Sequence, residues 1–135
     1  MPKIYVAGGW FSDEQVEALD DLEYVVQLCS RYSNFMPRHM NLGVEGVNWD
    51  SIFKENIKHL NNSSLVVAST VGKDMGTMWE CGYAYAKNIP IVYYTPGIDK
   101  PNLMLGKSGI ICKTKKELME YLLDGTLPEG VKDYE

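Results

Sequence analysis

Leu65-Val66-Val67-Ala68-Ser69, then Asp74-Met75-Gly76-Thr77-Met78-Trp79-Glu80-Cys81-Gly82-Tyr83-Ala84, then Ile89-Pro90-Ile91-Val92-Tyr93-Tyr94 decide the fold of this chain. The first and last are short apolar runs; the middle one opens as a loop and passes into a helical pattern ending near Lys87. Strand, loop, helix and strand within about thirty residues make a βαβ unit, whose crossover is right-handed. The loop before the helix then lies at the C-terminal edge of a parallel sheet, where open α/β folds place their ligands. Glu80 falls in or near the first turn of that helix. An acid there has three readings: complement to the helix dipole, capping residue, or catalytic group.

Upstream, Lys3-Ile4-Tyr5-Val6-Ala7-Gly8-Gly9 reads as a central strand closing on two glycines, a loop able to approach a ligand. It is neither a dinucleotide fingerprint nor a Walker loop, since G-x-G-x-x-G and the phosphate lysine are both missing. Trp10 and Phe11 follow, either capping the core or offering a stacking platform at a ligand mouth. Ser12-Asp13-Glu14-Gln15 is a capping box opening a helix with Val16, Leu19, Leu22, Val26 and Cys29 on one face. Glu14, Glu17, Asp20, Asp21 and Glu23 form its expected solvated side. Residues 32–36 suit a short second strand stopped by Pro37. Arg38 and His39 then sit at its C-terminal end, as ligand contacts or as plain surface loop. Residues 43–48 read as a loop, and 50–60 as a helix carrying Ile52, Phe53, Ile57 and Leu60, with His59 exposed near its end.

Downstream, Thr95-Pro96-Gly97-Ile98-Asp99-Lys100-Pro101 is a loop, and Asn102-Leu103-Met104 an apolar patch too short to form an element. Gly109-Ile110-Ile111-Cys112 is a fifth strand, and Thr114-Lys115-Lys116-Glu117 a second capping box whose helix stops at Gly125. The alternation predicts one domain over residues 1–135: an α/β fold with a five-stranded parallel doubly wound sheet, flavodoxin-like in topology.

Composition narrows the function. With 135 residues, 45% apolar and 23% charged, the chain can bury a core without staples. Net charge is −5 and Arg31 and Arg38 are the only arginines, which argues against a nucleic-acid surface. Cys29, Cys81 and Cys112 lack metal spacing and read as buried free thiols of a reducing compartment. His39 and His59 are too few and too scattered for a metal site. No run reaches the length of a membrane helix and no signal-peptide core opens the chain, so a cytoplasmic protein with no membrane partner is expected.

At the expected switch point the ionisable groups are Asp74, Glu80 and the Tyr5 phenol. No Ser-His-Asp or Cys-His device is available there, and phosphoryl transfer lacks its glycine-lysine cradle. A carboxylate nucleophile with a second acid and aromatic walls suits chemistry at an anomeric carbon. A helix N-terminus keeps Glu80 ionised, which fits a nucleophile, while Asp74 in the loop suits a departing base.

Three segments carry a family resemblance: Ile4-Tyr5-Val6-Ala7-Gly8-Gly9-Trp10-Phe11, the stretch from Asp74 to Ala84, and Pro101-Asn102-Leu103-Met104. Together they resemble the first strand with its Gly-Trp-Phe loop, the D-x-G-x-x-x-E-x-G-Y-A signature and the N-L-M segment of the nucleoside 2-deoxyribosyltransferases. The resemblance implies that Glu80 forms a covalent 2-deoxyribosyl enzyme, that a second base then takes the sugar with retention, and that water gives slow hydrolysis. It implies that Tyr5 positions Glu80 and that Asp74 contacts and helps protonate the departing base. Trp10 and Phe11 would line the base pocket, with Gly9, Gly76 and Met104 in the substrate-binding set. Asn102 would serve the sugar's 5′-hydroxyl end in a neighbouring subunit, which makes the protein a homo-oligomer, dimer or hexamer, with shared sites. Partners would be nucleosides and free nucleobases; no cofactor is implied. Where the family commonly has a second base-contacting aspartate, just before the third strand, this chain has Ser64 (or Ser63). Arg38 keeps open a glycosidase acting on 2′-deoxynucleosides or their 5′-monophosphates, and a third reading is a nucleotide-derivative binding module without turnover.

Overall fold

The computed structural model describes residues 1–40, 46 and 48–135; most of the loop expected at 43–48 lies outside the described residues. In chain order the elements are β1 (Lys3–Ala7), α1 (Asp13–Leu28), β2 (Ser33–Phe35), α2 (Pro37–Met40), α3 (Trp49–Asn61), β3 (Leu65–Ser69), α4 (Met75–Ala86), β4 (Ile91–Tyr94), α5 (Leu103–Ser108), β5 (Ile110–Cys112) and α6 (Lys115–Asp124). The five strands are all parallel, in the order β2-β1-β3-β4-β5. The chain order reverses between β1 and β3, so the loops after these two strands open the crevice.

Burial on both faces explains the strand composition. Ile4, Tyr5, Val6 and Ala7 are all buried, as are Ile91, Val92, Tyr93 and Tyr94. Such strands read as continuous apolar runs rather than alternating ones. One core lies under α1 and α6, built on Ile4, Val6, Leu19, Leu22, Val67 and Leu118. The other contains Tyr5, Ala7, Phe35, Leu60, Cys81 and Tyr93. Cys29, Cys81 and Cys112 are free and buried. Among the described residues no helix is long and apolar enough to cross a membrane.

Helix starts follow local chemistry. Ser12, Asn48, Asp74, Asn102 and Thr114 each accept a hydrogen bond from a backbone N–H of the turn they open. In both capping boxes the reciprocal contact reaches one residue further upstream. Gln15 accepts from Phe11 N–H at 2.9 Å, and Glu117 from Lys113 N–H at 2.8 Å. At the C-terminus of α6, Gly125 adopts φ 73°, which lets its N–H and that of Thr126 close on Tyr121 and Glu120.

Four expectations change. Residues Leu103–Ser108 form α5 although the 102–104 patch looked too short for an element; Asn102 caps it through Oδ1, and Tyr134 packs over the bare Gly106. Glu80 lies beyond the first turn of α4, which begins at Met75, so the helix dipole acts on it only weakly. His59 is stacked face to face on Phe35 with centroids 3.7 Å apart, its Nδ1 accepting from Lys3 Nζ and its Nε2 donating to Glu55.

The fourth concerns Glu23, which is buried rather than solvated. One carboxylate oxygen accepts from Arg38 Nη2 at 2.5 Å and from His39 Nε2 at 2.8 Å, and Arg38 also donates to Asp20 at 2.7 Å. This cluster fastens α2 to α1. Removing one partner of a buried pair costs more than the pair contributes, because a charge is left stranded. Arg38→Met is therefore expected to lower unfolding free energy by roughly 3 kcal/mol in urea titrations. Adding Glu23→Gln is expected to recover part of that loss.

Candidate active site

Tyr5 and Glu80 meet where β1 passes beneath α4. The Tyr5 hydroxyl donates a short hydrogen bond to Glu80 Oε2, while Oε1 has no hydrogen-bond partner among the described residues. Tyr5 is fully buried, and its ring packs tilted against Phe35 at 5.6 Å, which in turn carries the His59 ring. The phenol cannot swing away, so the carboxylate is presented in one orientation with one oxygen open.

Burial pushes the Glu80 carboxyl up to about 7; Tyr5's donated hydrogen bond opposes the rise and the nearby Asp74 carboxylate adds to it. This corrects the expectation of an acid held ionised by its helix. Burial above all, with Glu80's charge next, drives the Tyr5 phenol far above its ordinary value, so it remains a donor.

Asp74 is fixed by α4 itself. Its Oδ2 accepts from Thr77 N–H at 3.0 Å and from the Thr77 hydroxyl at 2.8 Å. Oδ1 has no hydrogen-bond partner among the described residues and is available to a ligand. Gly9 faces it so closely that a Cβ there would stand 3.2 Å from Asp74 Cβ, and one on Gly76 would stand 3.5 Å from its Oδ2. Trp10 and Phe11 stack at 5.2 Å beside this mouth, with Phe11 75% exposed. Tyr5, Gly9, Trp10, Phe11, Asp74, Gly76 and Glu80 therefore belong to the two loops, and the elements they join, at the β1/β3 crevice.

The other expected site residues lie elsewhere. Ser64 precedes β3 and donates its N–H to Lys3 O at 2.8 Å, which puts it at the N-terminal edge of the sheet. The five-residue strand β3 separates it from the crevice by roughly 16 Å, so it does not face a base held there. Arg38 has its guanidinium engaged by Asp20 and Glu23. Asn102 and Met104 line a cavity of about 810 Å³ between α4 and α5, together with Cys81, Tyr85, Tyr93 and Glu135. Tyr5, Asp74 and Glu80 are not among its lining residues, but Lys73, which precedes Asp74, and Met78 and Cys81, on either side of Glu80 in α4, are, so the cavity adjoins the crevice.

Sequence reasoning missed Thr77, Phe35 and the second role of Gln15. Thr77 three residues after an N-cap aspartate was the one readable signal; the Phe35 and Gln15 contacts are made across the fold.

The sequence model of the nucleoside 2-deoxyribosyltransferase family matches residues 4–119. The chain belongs to this family. Its members are pentosyltransferases, and the match takes in β1 from Ile4 onward, the whole of α4 and the N-L-M segment. Among solved structures it is similar to the 2-deoxyribosyltransferase of Bacillus psychrosaccharolyticus, with 26% identity over 98% of this chain and 99% of that one and a TM-score of 0.79. A conserved protein from Enterococcus faecalis V583 shares the fold at 21% identity and TM-score 0.72, covering 93% and 99% of the two chains. The 2-desoxiribosyltransferase of Leishmania mexicana shares it at 20% identity and TM-score 0.58, covering 77% and 70%. No curated protein matches the sequence.

The raised Glu80 value has a stability consequence. Below the ordinary value of 4.5 both folded and unfolded chains hold the proton; as pH climbs through about 7 the unfolded chain has already released it. The folded state thus loses stability across that window. Glu80→Gln removes the loss, so its melting temperature relative to the unaltered protein is expected to rise between pH 5 and pH 8 in thermal melts. An unchanged difference would contradict a carboxyl raised by burial.

Proposed function

We propose that this chain moves 2-deoxyribose between nucleobases through a covalent deoxyribosyl-glutamyl intermediate at Glu80. The observation that carries the reading is the Tyr5–Glu80 hydrogen bond at the crevice, which leaves one carboxylate oxygen open. Ionised, that oxygen attacks the anomeric carbon as the C–N bond breaks and its electron pair leaves with the base. The free Asp74 oxygen hydrogen-bonds the departing base and helps protonate it, while Trp10 and Phe11 offer flat apolar contact to its ring. A second base then attacks the same carbon, releases Glu80 and restores the original anomeric configuration; water in its place yields slow hydrolysis.

With thymidine and adenine supplied together, deoxyadenosine is expected to accumulate by chromatography, and Glu80→Ala, still folded by circular dichroism, is expected to yield none. The rate should climb with pH through about 7 as the nucleophile ionises. Free base appearing at a rate insensitive to adenine would point to hydrolysis instead. A 5′-monophosphate substrate draws no support from Arg38, whose guanidinium is held by α1 carboxylates.

The site is completed by a second copy of the chain. Within one copy no hydrogen bond joins Asn102 or Met104 to Tyr5, Asp74 or Glu80 among the described residues, and Met104 is 72% exposed at the start of α5. Trp49, Phe53 and Trp79 on α3 and α4 are also more than half exposed, an apolar surface that a neighbour would cover. Mixing Glu80→Ala with Asn102→Ala under conditions that exchange subunits is expected to recover transfer above that of either variant alone. No recovery would place each site within one chain.

A further inference from the structure

Gln15 is a buried amide in the first turn of α1, between the loop that leads into that helix and a second loop 56 residues away in sequence. Only 6% of the residue is exposed. Its Oε1 accepts from the Phe11 N–H at 2.9 Å, and its Nε2 donates to the Val71 carbonyl at 3.2 Å. Phe11 belongs to the loop after β1, and Val71 opens the short 3₁₀ turn Val71–Lys73 that delivers Asp74. A single side chain thus bridges the two strand ends of the crevice.

Both loops are bare where the amide passes. A Cβ on Gly9 would fall 2.5 Å from Gln15 Nε2, and one on Gly72 would fall 2.3 Å from it. Gly72 also has φ 78°, a conformation that glycine adopts freely. The loops are therefore shaped around this amide, and each amide atom satisfies a backbone group that would otherwise lose its partner. Phe11 is tied at its own N–H, and Trp10 stacks on Phe11, so the bridge sets how far the aromatic pair stands from Asp74. Glu80 is held separately, from below, by Tyr5.

We propose that Gln15 is a positioning residue for the nucleobase subsite, holding the Trp10–Phe11 pair and Asp74 at one spacing, so that it governs base departure and base capture but not the attack of water on the sugar. This rests on the transfer reading above.

The test separates the two steps. The protein and its Gln15→Met variant, similar in length but without hydrogen bonds, are loaded with sugar from a slowly turning-over 2-fluoro-2-deoxyarabinosyl nucleoside and freed of released base. Decay of the adduct in water is expected to stay within about twofold, while the adenine concentration needed for half-maximal release rises about tenfold. Equal loss in both, or loss in neither, overturns the proposal. Gln15→Glu keeps the acceptor for Phe11 and loses the donor for Val71; it is expected to fall between the two, and it carries the test if Gln15→Met does not fold.

A second readout needs no turnover. In a chain with Trp49→Phe and Trp79→Phe, Trp10 is the sole tryptophan. Adding Gln15→Met is expected to shift its emission to the red and increase quenching by iodide. Unchanged emission and quenching overturn the bridge, even if the unaltered protein forms no adduct and the transfer reading itself fails.

Discussion

The parallel pairing of β1 with β3, Ile4 against Leu65 through Ala7 against Ala68, sets every distance in the crevice. These neighbours stand side by side at the centre of the sheet, where the chain order reverses, and both end in loops aimed the same way. Because the register pairs Tyr5 with Val66, the phenol stands two residues below the end of β1, at the depth where α4 presents Glu80. A one-residue slip would turn the phenol to the opposite face of the sheet. The same slip would place Ile4 and Val6 against α4, so hydrophobic burial and site geometry enforce one register together.

Several polar groups in this protein are buried where they hold something in place. Glu23 and Arg38 fasten α2 to α1, Gln15 bridges two loops, and Tyr5 orients Glu80. Each carries a desolvation cost that its partner offsets, in part only for the Glu23–Arg38 pair, where Glu23 Oε2 and Arg38 Nε keep no hydrogen-bond partner among the described residues. At Glu80 the offset is incomplete, and the raised carboxyl value records the residue left over. That incompleteness suits a nucleophile, since a carboxylate fully satisfied by neighbours has little tendency to form a new bond.

Elements whose signals are local could be read from the chain itself. The apolar run at Ile4-Tyr5-Val6-Ala7, the caps at Ser12 and Thr114 and the stop at Gly125 depend on a few adjacent residues, and the structure has them as expected. The family resemblance also led to Glu80 as a neighbour of both Tyr5 and Asp74, and the structure has Tyr5 bonded to Glu80 with the Asp74 carboxylate nearby. What could not be read depends on partners distant in sequence. Helix α5 is completed by Tyr134 lying over Gly106; Glu23 is buried because Arg38 comes to it; His59 stacks because Phe35 is there. Ser64 shows the converse error: a correspondence along the sequence carried it to the base, while the strand it precedes carries it to the far edge.

The three cysteines occupy separate parts of this architecture: the end of α1, the underside of α4 and the edge strand β5. Burial raises all three thiols, Cys81 and Cys112 to about 12, so very little thiolate forms near neutral pH. Alkylating reagents therefore meet an inert protein until it opens. The order in which the three positions become labelled under mild denaturant reports which layer of the fold separates first, a record of partial unfolding that requires no added probe.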